Sequence, residues 1–263
     1  MAIADLDKQP DSVSSVLKVF GILQALGEER EIGITELSQR VMMSKSTVYR
    51  FLQTMKSLGY VAQEGESEKY SLTLKLFELG AKALQNVDLI RSADIQMREL
   101  STLTKETIHL GALDEDGIVY IHKIDSMYNL RMYSRIGRRN PLHSTAIGKV
   151  LLAWRDRDEA AEILSKVEFT RSTPHTVGSA EALLPLLDTV RQQGYGEDKE
   201  EQEEGLRCIA VPVFDRFGVV IAGLSISFPT IRFAEDSMHE YVAMLHHAAK
   251  NISEQMGYHD YPF

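Results

Sequence analysis

"SKSTVYRFLQTMKSLGYV", residues 44–61, decides how the first third of the chain is read. Ser44 stands where a helix N-cap belongs. Val48, Phe51, Leu52 and Met55 recur at three- and four-residue steps, and Gly59 supplies a stop. The apolar stripe must face a core. That leaves Lys45, Ser46, Tyr49, Arg50 and Gln53 on the outer side, with Ser44, Lys45, Ser46 and Thr47 in the first turn. The formal net charge of the chain is −9, yet residues 38–62 hold no Asp or Glu, while Arg40, Lys45, Arg50 and Lys56 fall inside. Carboxylates there would repel nucleic-acid phosphates; Lys and Arg attract them, and Ser, Thr and Gln donate to phosphates or base edges. This helix is expected to read DNA through Ser44, Lys45, Ser46, Thr47, Tyr49 and Arg50. The pattern alone also fits a solvated amphipathic helix.

Working outward, Val13, Val16, Leu17, Phe20, Leu23 and Leu26 form an apolar stripe, with Ser12 as cap and Gly27 as stop. Ile34, Leu37 and Val41 mark a short second helix, with Thr35 placed to cap it. "YVAQEGESEKYSL" reads as a hairpin. Three helices followed by a hairpin predict a winged helix-turn-helix over residues 12–74, after a disordered polar tail at 1–11. "TLKLFELGAKAL" continues into a helical linker at 75–88. An α+β domain is expected over 89–258. It opens on an amphipathic helix from Leu89. A hairpin follows ("TIHLGAL", "IVYIHKID"), then a third strand in "LRMYSRIG". Helices at "STAIGKVLLAW", "DEAAEILSKV" and "SAEALLPLLDTVRQQGY" come next, with Pro185 starting or kinking the last of them. Strands "RCIAVPVF" and "VVIAGLSISF" precede a final helix.

Length and composition agree with two ordinary globular domains: 263 residues, 44% hydrophobic, 25% charged. Cys208 is the single cysteine, so no internal disulfide forms, which suits a reducing compartment. The start, "MAIADLDKQPD", has no signal-peptide character, and no apolar run approaches the roughly 20 residues of a bilayer span. A cytoplasmic protein is expected. There is no P-loop and no dinucleotide fingerprint. Cys208 lies in a β-run without a nucleophile signature, and the adjacent His246 and His247 diverge by about 100° on a helix. No catalytic residue, cofactor or metal is expected; a redox role for Cys208 is a rival reading.

The second half does contain the makings of an anion site. "PLHSTAIGK" enters a helix near Ser144 or Thr145, whose first N–H groups, those of Ala146 and Ile147, are free to meet a carboxylate. In a strand, Ser225 and Ser227 share one face and Leu224, Ile226 and Phe228 the other; Cys208 and Ala210 pair likewise. Each has a plainer reading. Cys208 fits a small buried hydrophobe, the two serines a solvent face, and Asp198, inside "EDKEEQEE", a solvated acidic loop.

"SVSSVLKVFGILQALGE", "ITELSQRVMMSKSTVYRFLQTMKSLGYV" and "YSLTLKLFELG", together with "GRRNPLHSTAIGKVLLA", "GYGEDKEEQEEGLRCIAVPVFD" and "VVIAGLSISFP", resemble the IclR family of bacterial transcriptional regulators in the family's order over nearly the whole chain. The resemblance implies an α+β protein: an N-terminal winged helix-turn-helix domain joined by a helical linker to a GAF-like α/β effector-binding and oligomerisation domain. It implies double-stranded operator DNA as partner, self-association as a dimer by pairing of two N-terminal domains through the helices at 12–27 and 73–84, or as a tetramer by further pairing of effector domains, and a small-acid effector. It places Ala146, Ile147, Asp198, Cys208, Ser225 and Ser227 in the effector pocket, with Arg131 and His143 as further contacts. Within the family, the likeness points to a repressor of sugar-acid (pectin and hexuronate) catabolic genes released by 2-keto-3-deoxygluconate. An activator or dual regulator sensing another organic acid is the alternative.

Overall fold

The structure, a computed structural model, describes residues 13–63, 68–84 and 89–263, and of 81–84 the backbone alone. The tail at 1–11, Ser12 as a cap, the hairpin turn at 64–67 and the linker stretch 85–88 lie outside the described residues. Two compact units divide the chain, Met1–Val87 and Asp88–Phe263.

In the first unit, α1 (Ser14–Gly27), α2 (Ile34–Arg40) and α3 (Lys45–Ser57) enclose Ile22, Leu26, Leu37, Val48, Leu52 and Met55. Each such side chain contributes about 1.5–3 kcal/mol on burial. The expected stripe on α1 is split. Of its members Leu26 is buried and Leu17 and Leu23 are half-buried, whereas Val13, Val16 and Phe20 are 62, 48 and 59% exposed; Ile22 and Ala25, outside that stripe, are buried instead. The spacing of that stripe could not say which of two adjoining faces meets the core. Nor does Thr35 cap α2: the N-cap is Gly33, because Ile32 and Gly33 pair as strand β1 (Ile32–Gly33) and the helix starts immediately after. β2 (Val61–Gln63) and β3 (Lys69–Leu72) form the wing, with β1 against β3 on its other side. Gly59, at φ +81°, ends α3 as expected. α4 (Leu74–Leu84) follows.

The second unit is built on one antiparallel sheet. Among the described residues its strands are β4 (Thr107–Asp114), β5 (Gly117–Ile124), β6 (Arg139–Pro141), β7 (Gly196–Lys199), β8 (Leu206–Phe214) and β9 (Val220–Pro229), ordered β6-β5-β4-β9-β8-β7. α5 (Leu89–Thr104) and α9 (Met238–Gln255) cover one face over Leu224, Ile226 and Phe228. α6 (Ala146–Ala153), α7 (Arg157–Leu164) and α8 (Ala180–Gln193) cover the other. This alternation is why β8 and β9 read as almost unbroken apolar runs: both faces are buried.

Three expectations change here. "LRMYSRIG", residues 130–137, forms no strand; Leu130, Tyr133 and Ile136 are exposed, and the third strand is the shorter β6. α8 does not start near Leu184: Ser179 caps it at Ala182 N, 3.3 Å, and Pro185 lies within, without the N–H that would have bonded Glu181. The acidic run is not a solvated loop, since β7 pairs Asp198 with Cys208 and buries it.

Candidate functional site

On α3, Ser44 Oγ accepts from Thr47 N (3.3 Å) and lies 2.8 and 3.1 Å from the hydroxyls of Thr47 and Ser46. Ser44, Lys45, Ser46, Tyr49 and Arg50 are exposed, Thr47 is half-buried, and the first turn carries no acidic residue. Thr47, Arg50, Phe51 and Thr54 form a groove of about 430 Å³ with Ser14, Ser15 and Lys18 of α1. Sequence reasoning missed Lys18, which reaches Arg50 only through packing between helices. Arg40 is not a free cation of this surface; it is held by Glu28, Glu29 and Glu36 at 3.2, 3.0 and 2.6 Å. Gln53 is half-buried and takes a hydrogen bond with Tyr70 of the wing.

In the second unit, strand register assembles the other site. Asp198, Cys208 and Ser227 are cross-strand partners along β7, β8 and β9, so their side chains share one row of one face. Ser225 lies in the next row, between Ala210 and His109. Gly111 and Gly223 pair across β4 and β9, and an added Cβ would meet the Ile147 side chain at 3.1 and 2.9 Å. Only glycine at those two positions lets the start of α6 settle this close to the sheet. Thr145 caps α6 by accepting from Gly148 N at 3.1 Å, and the N–H groups of Ala146 and Ile147 stay unpaired among the described residues.

A narrow cleft of about 10 Å³ results, lined by Tyr120, Met132, Thr145, Ala146, Ile147, Asp198, Gln202, Cys208 and Ser225. Five of the six expected pocket residues therefore line one space. Ser227 does not line it: its hydroxyl accepts from the Cys208 thiol (3.1 Å) and lies 3.3 Å from His109 Nδ1. His109 Nε2 in turn is 2.7 Å from the Ser134 hydroxyl. Arg131 is exposed, 3.9 Å from Asp125, and does not line the cleft. His143 is buried elsewhere, donating from Nε2 to Thr170 O at 3.2 Å. Tyr120, Met132, Gln202, His109 and Ser134 were not picked from the sequence; nothing in their local pattern distinguishes them from core or loop residues.

Burial sets the protonation of this cluster. It pushes the Asp198 carboxyl up to about 7, against the opposing pull of hydrogen bonds donated by Glu201 N (2.8 Å) and Gln202 N (3.3 Å); Glu201 adds to the rise and Lys149 reduces it. Burial lowers His109 to about 3, so its imidazole is neutral. Burial, then Asp198, raises the Cys208 thiol, which is 7% exposed; neither accessibility nor a favoured thiolate supports a redox role.

The Asp198 shift has a consequence for stability. Its folded pKa exceeds the ordinary 3.8, so the folded protein keeps a proton that the unfolded chain releases. The group's contribution to stability is therefore full below about pH 4 and falls as pH rises through about 7. Asp198→Asn keeps an oxygen acceptor for the two backbone N–H groups and removes the ionisation. Thermal melts should show the variant gaining on wild type between pH 5 and pH 8; an equal difference at both values would contradict the shift.

With this geometry in hand, similarity to known proteins can be weighed. The IclR helix-turn-helix domain model matches residues 15–65, and the IclR C-terminal domain model of bacterial transcriptional regulators matches 81–254. The transcriptional regulator KdgR of Dickeya chrysanthemi is 92% identical over 263 residues, all of this chain and 86% of that one. KdgR of Escherichia coli K12 is 88% identical over the full length of both. An IclR homologue from Microbacterium hydrocarbonoxydans, solved in complex with 4-hydroxybenzoate, superposes with a TM-score of 0.83 at 26% identity, covering 92% of this chain and 99% of its own. The two models fall on the two units in turn and span most of the sequence between them, and the chain belongs to the IclR family of DNA-binding bacterial transcriptional regulators.

Proposed function

We propose that this regulator represses sugar-acid catabolic genes and leaves its operator when a keto-deoxy sugar acid such as 2-keto-3-deoxygluconate enters the cleft beside α6. The observation that carries the proposal is the convergence on one space of the unpaired Ala146 and Ile147 N–H groups with the buried polar side chains of Asp198 and Ser225. Helix-start amides suit a carboxylate, and Asp198 and the serine suit hydroxyls. The names of the 92% and 88% identical relatives support the ligand class.

On the DNA side, Ser44, Lys45, Ser46, Thr47, Tyr49 and Arg50 are the contacts we assign, with the N-terminal turn of α3 in the major groove. Two such helices on a palindrome require a twofold pair. The exposed Val13, Val16 and Phe20 of α1 and Leu74 and Phe77 of α4 provide apolar surface for pairing, at 48–80% exposure. The cleft holds only about 10 Å³ of free space, room for a single water, so seating a six-carbon acid requires the segment bearing Met132 to give way. A ligand that favours the opened form shifts the population of the whole molecule.

Fluorescence anisotropy on promoter fragments of hexuronate-degradation genes tests this. The acid should weaken binding by roughly 5–150-fold, the usual range of allosteric coupling. Ser225→Ala should keep operator affinity while losing much of that release. Operator affinity unmoved by the acid would overturn the ligand assignment; release by a different organic acid alone would favour a regulator of another pathway.

A further inference from the structure

Resting on that cleft assignment, we infer that Tyr120 and Gln202 are its specificity-determining residues, reading the hydroxyl-bearing end of the ligand while α6 holds the carboxylate. Tyr120 is 95% buried and lines the cleft from β5. Its ring is fixed by stacking on His109, centroids 4.3 Å apart at 20°, and His109 is itself pinned by Ser134 and Ser227. Its hydroxyl makes no hydrogen bond among the described residues. The oxygen is not sealed in the core, so a ligand entering the cleft can reach it.

Gln202 approaches from the turn after β7. Ser144, buried at the foot of α6, donates to Gln202 Oε1 at 2.6 Å, and Gln202 N is tied to Asp198 Oδ1 at 3.3 Å. With its oxygen occupied, the amide presents its Nε2 donors, which have no partner among the described residues. Both groups are thus neutral, preoriented and unsatisfied in the same space. A phenol and an amide distinguish a hydroxyl from a methylene. The carboxylate is left to the N–H groups that start α6. A site built to hydrogen-bond a hydroxyl rejects the analogue that lacks it, since its own polar groups are then left unpaired.

The test uses two six-carbon 2-keto acids: 2-keto-3-deoxygluconate, with its hydroxyls, and 2-oxohexanoate, without them. Calorimetric titration of the full-length protein gives the ratio of their affinities. Wild type should prefer the hydroxylated acid by at least 10-fold. Tyr120→Phe and Gln202→Leu should each cut that preference about 3–10-fold, the equivalent of one net hydrogen bond, with little change for 2-oxohexanoate. Operator affinity without ligand and the melting temperature of Tyr120→Phe should match wild type, which separates recognition from folding. Equal loss for both acids, or an unchanged ratio in both variants, would overturn the inference while leaving the cleft in place. A wild type that binds neither acid would remove the cleft assignment and this inference together.

Discussion

Lys149→Met is expected to destabilise the second unit by about 3–5 kcal/mol, the usual cost of leaving one half of a buried ion pair uncompensated. Lys149 lies on α6 and is 5% exposed; its ammonium donates to Glu201 Oε1, and to Glu197 O at 2.8 Å. Glu201 is 7% exposed, and its other carboxylate oxygen has no hydrogen-bond partner. Removing the ammonium leaves a carboxylate with neither water nor a counter-charge. The pair is a constraint rather than a gain: replacing both members with apolar residues of similar size is commonly neutral or stabilising. Lys149→Met with Glu201→Leu should therefore recover most of the loss. Urea unfolding followed through Trp154, the sole tryptophan and the residue that ends α6, reports on this unit. A single-variant loss below about 1 kcal/mol would mean that Glu201 is stabilised by something other than Lys149. A double variant no better than the single would mean that shape, not charge, dominates.

The second large effect concerns DNA. Lys45→Ala with Arg50→Ala should weaken operator binding roughly 30–100-fold near 0.1 M salt, and lower the slope of log affinity against log salt by about 1.8 if each cation meets one phosphate. Both side chains are exposed and make no ion pair among the described residues, so the melting temperature should hold. Arg40→Ala is the internal contrast: that guanidinium is held by three glutamates, and its removal should leave the salt slope nearly unchanged. Titrations at several salt concentrations decide between these outcomes. An unaltered slope in the double variant would remove α3 from the phosphate contacts.

The helices of the first unit were legible because their signals are local. Val48, Leu52 and Met55 repeat with the helical period, Ser44 caps the next turn, and Gly59 stops it. The same holds for β8 and β9, whose length and β-branched content leave little choice. Errors arose where an apolar residue could serve either face. Val16 and Phe20 continue the stripe on α1 yet remain exposed, and Leu130 and Ile136 have strand character in a segment that forms no strand. The cleft was partly visible. Parity along β9 put Ser225 and Ser227 on one face, and the start of α6 was placed correctly; Asp198 and Cys208 entered through family likeness alone, since an acidic run and a lone thiol point more readily to solvent and core.

By itself, then, the sequence determined the kind and order of the elements, the basic helix in an acidic chain, and family membership, because periodicity, capping and charge act over a few residues. Tertiary structure alone decided which side chains share the cleft. The register Asp198–Cys208–Ser227, the paired Gly111 and Gly223 that admit Ile147, the stacking of Tyr120 on His109, and the Ser144–Gln202 and Lys149–Glu201 contacts join residues 10 to 112 positions apart. Hydrogen-bond register and burial fix such pairings through the whole sheet at once, and no short window of sequence encodes them.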